Sequence, residues 1–144
     1  MMNAQIPEKK KFTVNVKRIN QQQAVAETHG QKMTLAIQGK DPTLGFTAPE
    51  TVLAAFGACI LSNVTKGAAE MGLKVEDTSI EFTALKRLEP LGFEDLQYTL
   101  SIQSAEPKEK LQALYERATT DGTATQALLE GLKPQGKLDI HLKG

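Results

Sequence analysis

The sequence predicts an α+β fold, an antiparallel sheet packed on a long, buried central helix. Three observations carry this. Short alternating segments are joined to one another by turn residues, so strands run in hairpins rather than alternating with helices. One run, Val52 to Leu61, is apolar or Gly at every position and is bracketed by helix start and stop signals. At 144 residues the chain is one domain by the usual length prior, able to bury roughly two-thirds of its unfolded surface.

Met1 to Lys11 is polar and reads as a flexible tail without an apolar signal core. Phe12 to Lys17 alternates and predicts a half-buried strand. Asn20-Gln21-Gln22 is a turn, Ala24 to Thr28 a second strand, His29-Gly30 a second turn and Lys32 to Ile37 a third strand. The short spacing implies an antiparallel meander. Gly39 to Phe46 is rich in turn residues and forms a loop.

Thr47 is placed to cap the central helix, and Glu50 to reach back and complete a capping box. Pro49 falls in the first turn, where a missing N–H costs nothing. Good helix formers continue to Met71, and Gly72 marks the end. A helix apolar on all sides is buried on all sides. This one is too short, and too soon polar at Ser62-Asn63 and Thr65-Lys66, to span a bilayer. One sheet and a second helix leave part of it uncovered, so a second copy of the chain is expected to complete its surroundings as a homodimer.

Val75 to Leu85 predicts a long strand, broken by Glu89-Pro90-Leu91-Gly92. Leu96, Tyr98, Leu100 and Ile102 share one face of its partner. Pro107 opens a helix with Leu111, Leu114, Tyr115 and Ala118 on one stripe. Thr119 to Thr123 interrupts it, and Thr123 to Leu129 forms a short helix ended by Gly131. Lys137 to Leu142 alternates and predicts a last strand.

Seventeen basic and seventeen acidic residues cancel, which points away from nucleic acid and anionic membranes as partners. A single cysteine excludes an internal disulfide framework and fits a reducing compartment, the cytoplasm. His29 and His141 have no ligand partner at metal-binding spacing, and no phosphate-cradling Gly motif or Gly-x-Ser-x-Gly elbow is present, so neither metal nor cofactor is expected.

Cys59 is the residue with chemistry. It is either a small buried hydrophobe or a reactive thiol. A reactive thiol needs a cation or a helix N-terminus. Cys59 lies about 15 Å from the start of its own helix at 1.5 Å per residue, too far for that dipole. Arg18, Lys66 and Arg87 are the candidate cations. Glu50 is accounted for as a capping residue. Nine residues from Cys59, it lies on roughly the opposite face of the helix, at about 100° per residue.

The run Pro49-Glu50-Thr51-Val52-Leu53-Ala54-Ala55-Phe56-Gly57-Ala58-Cys59 resembles the signature of the OsmC/Ohr family, the osmotically inducible and organic hydroperoxide resistance proteins. The strand–helix order agrees along nearly the whole chain. The resemblance implies an OsmC-like α+β fold and an intertwined homodimer with two long central helices packed between sheets. It also implies a cysteine that reduces a hydroperoxide, an arginine and a glutamate that hold its thiolate, and a second cysteine that closes a disulfide reduced by an external dithiol. On this sequence Cys59 matches the first cysteine and Arg18 the arginine, by its place near the first hairpin. Glu50 matches the glutamate by its neighbour Pro49, with one residue fewer before the cysteine.

The stretch matching the second cysteine, Asp121 to Leu128, holds no cysteine. A hydroxyl cannot resolve a sulfenic acid, so the two-cysteine cycle is excluded. Two functions remain. One is thiol-dependent reduction of organic hydroperoxides through Cys59 alone, with Arg18 on the thiolate and Glu50 orienting Arg18. A partner thiol or small dithiol would then act as reductant, and Phe46, Phe56 and Leu residues would line an apolar pocket. The other is a non-enzymatic dimer that binds a small apolar ligand or partner, with Cys59 as core.

Overall fold

A computed structural model describes residues 9–131 and 133–141. The chain forms two compact units, Met1–Thr51 and Val52–Gly144.

The first unit is a three-stranded antiparallel meander, β1 (Asn15–Arg18), β2 (Gln23–Thr28) and β3 (Gln31–Ala36), in that order. His29 and Gly30 join β2 to β3 with φ of 51° and 76°. Both central residues of a two-residue hairpin turn of this hand need positive φ. Ala24 and Ala26 are buried on one face of β2. β1 begins three residues later than the alternation predicts, and Phe12 and Val14 are exposed. Pairing with β2 ends at Asn15↔Glu27, next to the turn that closes β2 onto β3, so the residues before it have no ladder to join. Of the expected tail, residues 1–8 lie outside the described residues, and Lys9 to Lys11 carry no regular structure.

Between Gly39 and Phe46 the chain makes a short 3-10 turn, Pro42–Leu44. Asp41 caps it, accepting from Thr43 N at 2.9 Å and Thr43 Oγ1 at 2.6 Å. These bonds hold the Asp41 carboxyl below its ordinary pKa.

Helix α1 (Ala48–Glu70) follows. Its end is a Schellman motif. Leu73 N donates to Ala68 O at 2.8 Å and Gly72 N to Ala69 O at 3.3 Å, with Gly72 at φ 66°.

In the second unit a long antiparallel hairpin, β4 (Asp77–Leu88) and β5 (Leu91–Gln103), pairs Thr78↔Ile102, Ile80↔Leu100 and Phe82↔Tyr98. The predicted break shrinks to Glu89-Pro90. Helices α2 (Lys108–Ala118) and α3 (Thr123–Glu130) complete the unit. The core is Ile60, Val64 and Ala68 of α1 with Leu114 and Ala118 of α2, flanked by Phe56, Ile80, Phe82, Leu100 and Ile102. Two glycines let α1 approach its neighbours. A Cβ at Gly57 would stand 3.1 Å from Ile80 Cγ2, and one at Gly67 2.9 Å from Leu114 Cδ1. Tyr98 and Tyr115 share a hydroxyl bond of 2.8 Å that ties β5 to α2.

The antiparallel strands form two sheets, one of three strands and one of two. Three expectations need correction. The α1 helix is buried along one stripe only, at Gly57, Ile60, Val64, Gly67 and Ala68. Ala54, Ala55 and Ala58 are exposed, because a hairpin and one helix cover a single side. At 23 residues α1 is also long and apolar enough to cross a membrane, so length does not exclude this. Its stripe instead packs against the hairpin and α2. Finally, Lys137 to His141 forms no strand, and Leu142 lies outside the described residues. Alternation makes a strand only where a neighbouring edge accepts its hydrogen bonds. Leu138 and Ile140, 83% and 66% exposed, have none among the described residues.

Candidate functional site

Cys59 sits in the middle of α1, next to the fully buried Ile60, and is itself half-buried. One turn further on the same face is Asn63. Its amide Nδ2 donates to Ala118 O at 3.1 Å and, more closely still, to Asp121 O. These bonds pin the α2–α3 connection onto α1. The backbone passes so close that a Cβ at Gly122 would stand 2.5 Å from Cys59 Sγ and 2.9 Å from Asn63 Nδ2. Gly122 has φ 119°, a conformation that side chains resist. The first turn of α3 is thereby laid against the sulfur. Thr125, in that turn, is 1% exposed, and its hydroxyl donates to Cys59 Sγ at 3.3 Å. Phe56, one turn before Cys59, packs edge-on to Phe82 at 5.2 Å between ring centres.

A thiolate at Cys59 would meet a hydroxyl donor and the positive end of α3. A sulfenic acid there would meet no second thiol of the same chain, since the chain has one cysteine.

Glu50 is the capping residue the sequence predicts. Its Oε1 accepts from Thr47 N at 2.9 Å and Thr47 Oγ1 at 2.8 Å, and Thr47 Oγ1 accepts from Glu50 N at 3.4 Å. The backbone bond and then the hydroxyl bond hold the Glu50 carboxyl below its ordinary pKa. Both bonds use Oε1, leaving Oε2 for another donor. Arg18 ends β1, exposed, opposite Ala24. Arg18 and Glu50 belong to the first unit and Cys59 to the second. Among the described residues neither Arg18 nor Glu50 forms an ion pair. Lys66 is exposed on α1 and lines a cleft of about 110 Å³ with Asn63, Gly67, Glu70, Arg117 and Asp121, in which Arg117 pairs with Glu70. Arg87 is occupied at the hairpin end, donating from Nε to Pro90 O at 2.8 Å.

Sequence reasoning missed Asn63, Gly122 and Thr125 as members of the site. The signal for Asn63 was its place four positions after Cys59, one turn on along the same helix face. Thr125 lay within the segment matched to the absent second cysteine, with nothing local to single it out. Among the described residues no three His, Cys, Asp or Glu side chains gather as metal ligands.

The fold is shared with known structures. An OsmC-like protein from Mycoplasma pneumoniae superposes with a TM-score of 0.76 at 16% identity, covering 85% of this chain and 89% of that one. An OsmC-like hydroperoxide resistance protein from Jannaschia sp. gives 0.53 at 18% identity, covering 90% and 92%. The organic hydroperoxide resistance protein OhrB of Bacillus subtilis gives 0.51 at 18% identity, covering 75% and 84%. At these identities the likeness is one of fold. No curated protein matches the sequence. The family model for OsmC-like proteins matches residues 38–135, which takes in the loop after β3, all of α1, the hairpin, α2 and α3. The chain belongs to the OsmC-like protein family.

Proposed function

We propose that this protein reduces organic hydroperoxides through Cys59 alone. The observation that carries the reading is a half-buried thiol whose sulfur accepts a hydrogen bond from a buried hydroxyl, on the central helix of an OsmC-like fold. The names of two structural relatives, both hydroperoxide resistance proteins, support the substrate class. In the proposed reaction the Cys59 thiolate attacks the peroxide O–O bond. An S–O bond forms, the O–O bond breaks, sulfur is oxidised, and the alkoxide takes a proton and leaves as an alcohol. A first external thiol condenses with the sulfenic acid, releasing water and leaving a mixed disulfide. A second thiol, or the other arm of a dithiol, restores Cys59. Arg18 is proposed to stabilise the thiolate, and Glu50 to orient Arg18. Phe46, Phe56 and leucines are proposed to favour fatty or aryl peroxides over hydrogen peroxide.

The protein is further proposed to be a homodimer in the reducing cytoplasm. The uncovered side of α1, the exposed leucines at the hairpin end (Leu85, Leu88, Leu91) and the stretch Lys137 to His141, which joins no strand among the described residues, support a second copy as the cover.

A second reading is favoured by one observation. Thr125 stands against the sulfur where a resolving thiol would be useful, and it cannot resolve. On that reading the protein is a non-enzymatic dimer that binds a small apolar ligand, with Cys59 as core.

Intact-mass spectrometry separates the two. The protein is given one equivalent of cumene hydroperoxide with dimedone present, beside a Cys59→Ser control. A single dimedone adduct, absent from the control and formed faster than with hydrogen peroxide, is expected for the peroxidase. An unmodified mass would leave the binding reading.

A further inference from the structure

We infer that Thr125 is the positioning residue for Cys59, its hydroxyl fixing the sulfur's orientation and favouring its reactive form. The inference rests on the reading of Cys59 as a working thiol and names the group that governs it.

Thr125 is the buried polar side chain of the core, at 1% exposure. A hydroxyl so deep needs a partner, since one left unpaired is costly to bury. Among the described residues every buried side-chain polar atom has one, and for the Thr125 hydroxyl it is Cys59 Sγ at 3.3 Å. A neutral thiol is a weak acceptor and a thiolate a strong one, so this donor gains most when the sulfur is charged. The arrangement is held from outside the pair. Asn63 fixes the carbonyls of Ala118 and Asp121, and Gly122 leaves room for the sulfur that any Cβ would take. Thr125 therefore reaches Cys59 because the α2–α3 connection is clamped, not because the two residues are close in sequence.

Thr125→Val removes the hydroxyl and keeps the shape. Thr125→Ser keeps the hydroxyl and removes the methyl. Two readouts need no turnover. One is the rate of iodoacetamide alkylation of Cys59 as a function of pH. The other is the Raman S–H stretching band, which in a one-cysteine protein reports Cys59 alone. Thr125→Val is expected to slow alkylation at neutral pH about tenfold, the scale of one charge-assisted hydrogen bond, and to shift the S–H band. Thr125→Ser is expected to stay within about twofold of the parent, as a retained donor requires. If Thr125→Val does not fold, Thr125→Ala takes its place as the variant without a hydroxyl. Alkylation and an S–H band unchanged on loss of the hydroxyl would overturn the inference. So would a Thr125→Ser variant as slow as Thr125→Val, which would make the methyl, and hence packing, the cause. Absence of a dimedone adduct in the parent would refute the peroxidase instead, and leaves these readouts independent.

Discussion

Replacing Thr125 by cysteine tests the placement of α3 against α1 directly. The Thr125 hydroxyl lies 3.3 Å from Cys59 Sγ. A sulfur in its place reaches further, and a disulfide needs the pair to close to about 2.05 Å. The remaining approach is about 1 Å or less, within the give of two side chains that already face each other. The cross-link would join residues 66 positions apart. Loop-closure entropy for such a loop gives a stabilisation of about 4 kcal/mol as an upper value, with native strain subtracting from it. For a chain of this length that corresponds to a midpoint rise of about 10 °C. The assay is thermal unfolding of Thr125→Cys by circular dichroism, oxidised and then with dithiothreitol, beside intact mass and thiol titration. The oxidised variant should be two hydrogens lighter, show no free thiol and melt higher than its reduced form. Two thiols that still titrate after equilibration with oxidised glutathione would refute the geometry on which the site is built.

Three further outcomes follow from the fold. Thr47→Ala removes the helix cap and should cost about 1 kcal/mol, read as a fall of about 3 °C in melting midpoint. The Glu50 carboxyl is held below its ordinary value, so its contribution is present above about pH 4.5 and is lost as pH falls through the folded value. The gap between parent and variant should therefore close in acid, as followed by denaturation at stepped pH. The Tyr98 hydroxyl, partly desolvated and bonded to Tyr115, is pushed up to about 12. The folded state thus holds this proton more tightly. The stabilisation is complete below about pH 10 and fades as pH rises toward 12, so Tyr98→Phe should flatten the alkaline fall in stability. Ala58, exposed beside Cys59 on α1, is placed in the proposed interface. Ala58→Arg should halve the mass seen by light scattering while the parent stays dimeric, and a monomeric parent would refute the dimer.

Much of the fold was legible because its signals are local. The capping box at Thr47 and Glu50, the Gly72 terminus, the His29-Gly30 turn and the hairpin's apolar face each follow from a few neighbouring residues. The failures required knowing what lies alongside. Phe12, Val14, Leu138 and Ile140 have strand character, but a strand is a relation between two segments, and the alternation says nothing of the second. Apolar residues around α1 predict burial on every side. In the folded chain they mark only where burial is available. At the site, Cys59 was legible from residue type and motif. Thr125 was not, because its contact spans 66 positions and is set by the Asn63 amide, whose partners are backbone carbonyls with no sequence identity to read.

The Asn63 amide also governs how the end of the chain meets proteases. It holds the carbonyls of Ala118 and Asp121, one on either side of the exposed residue Thr120. Cleavage needs a segment that can extend into a protease cleft, and a segment fastened at both ends cannot. Asn63→Ala frees both carbonyls at once, and limited digestion should then nick the chain between Ala118 and Gly122, severing α3 from the helix that carries Cys59. Nicking at that point would report, from outside the molecule, whether the sulfur still has its neighbour.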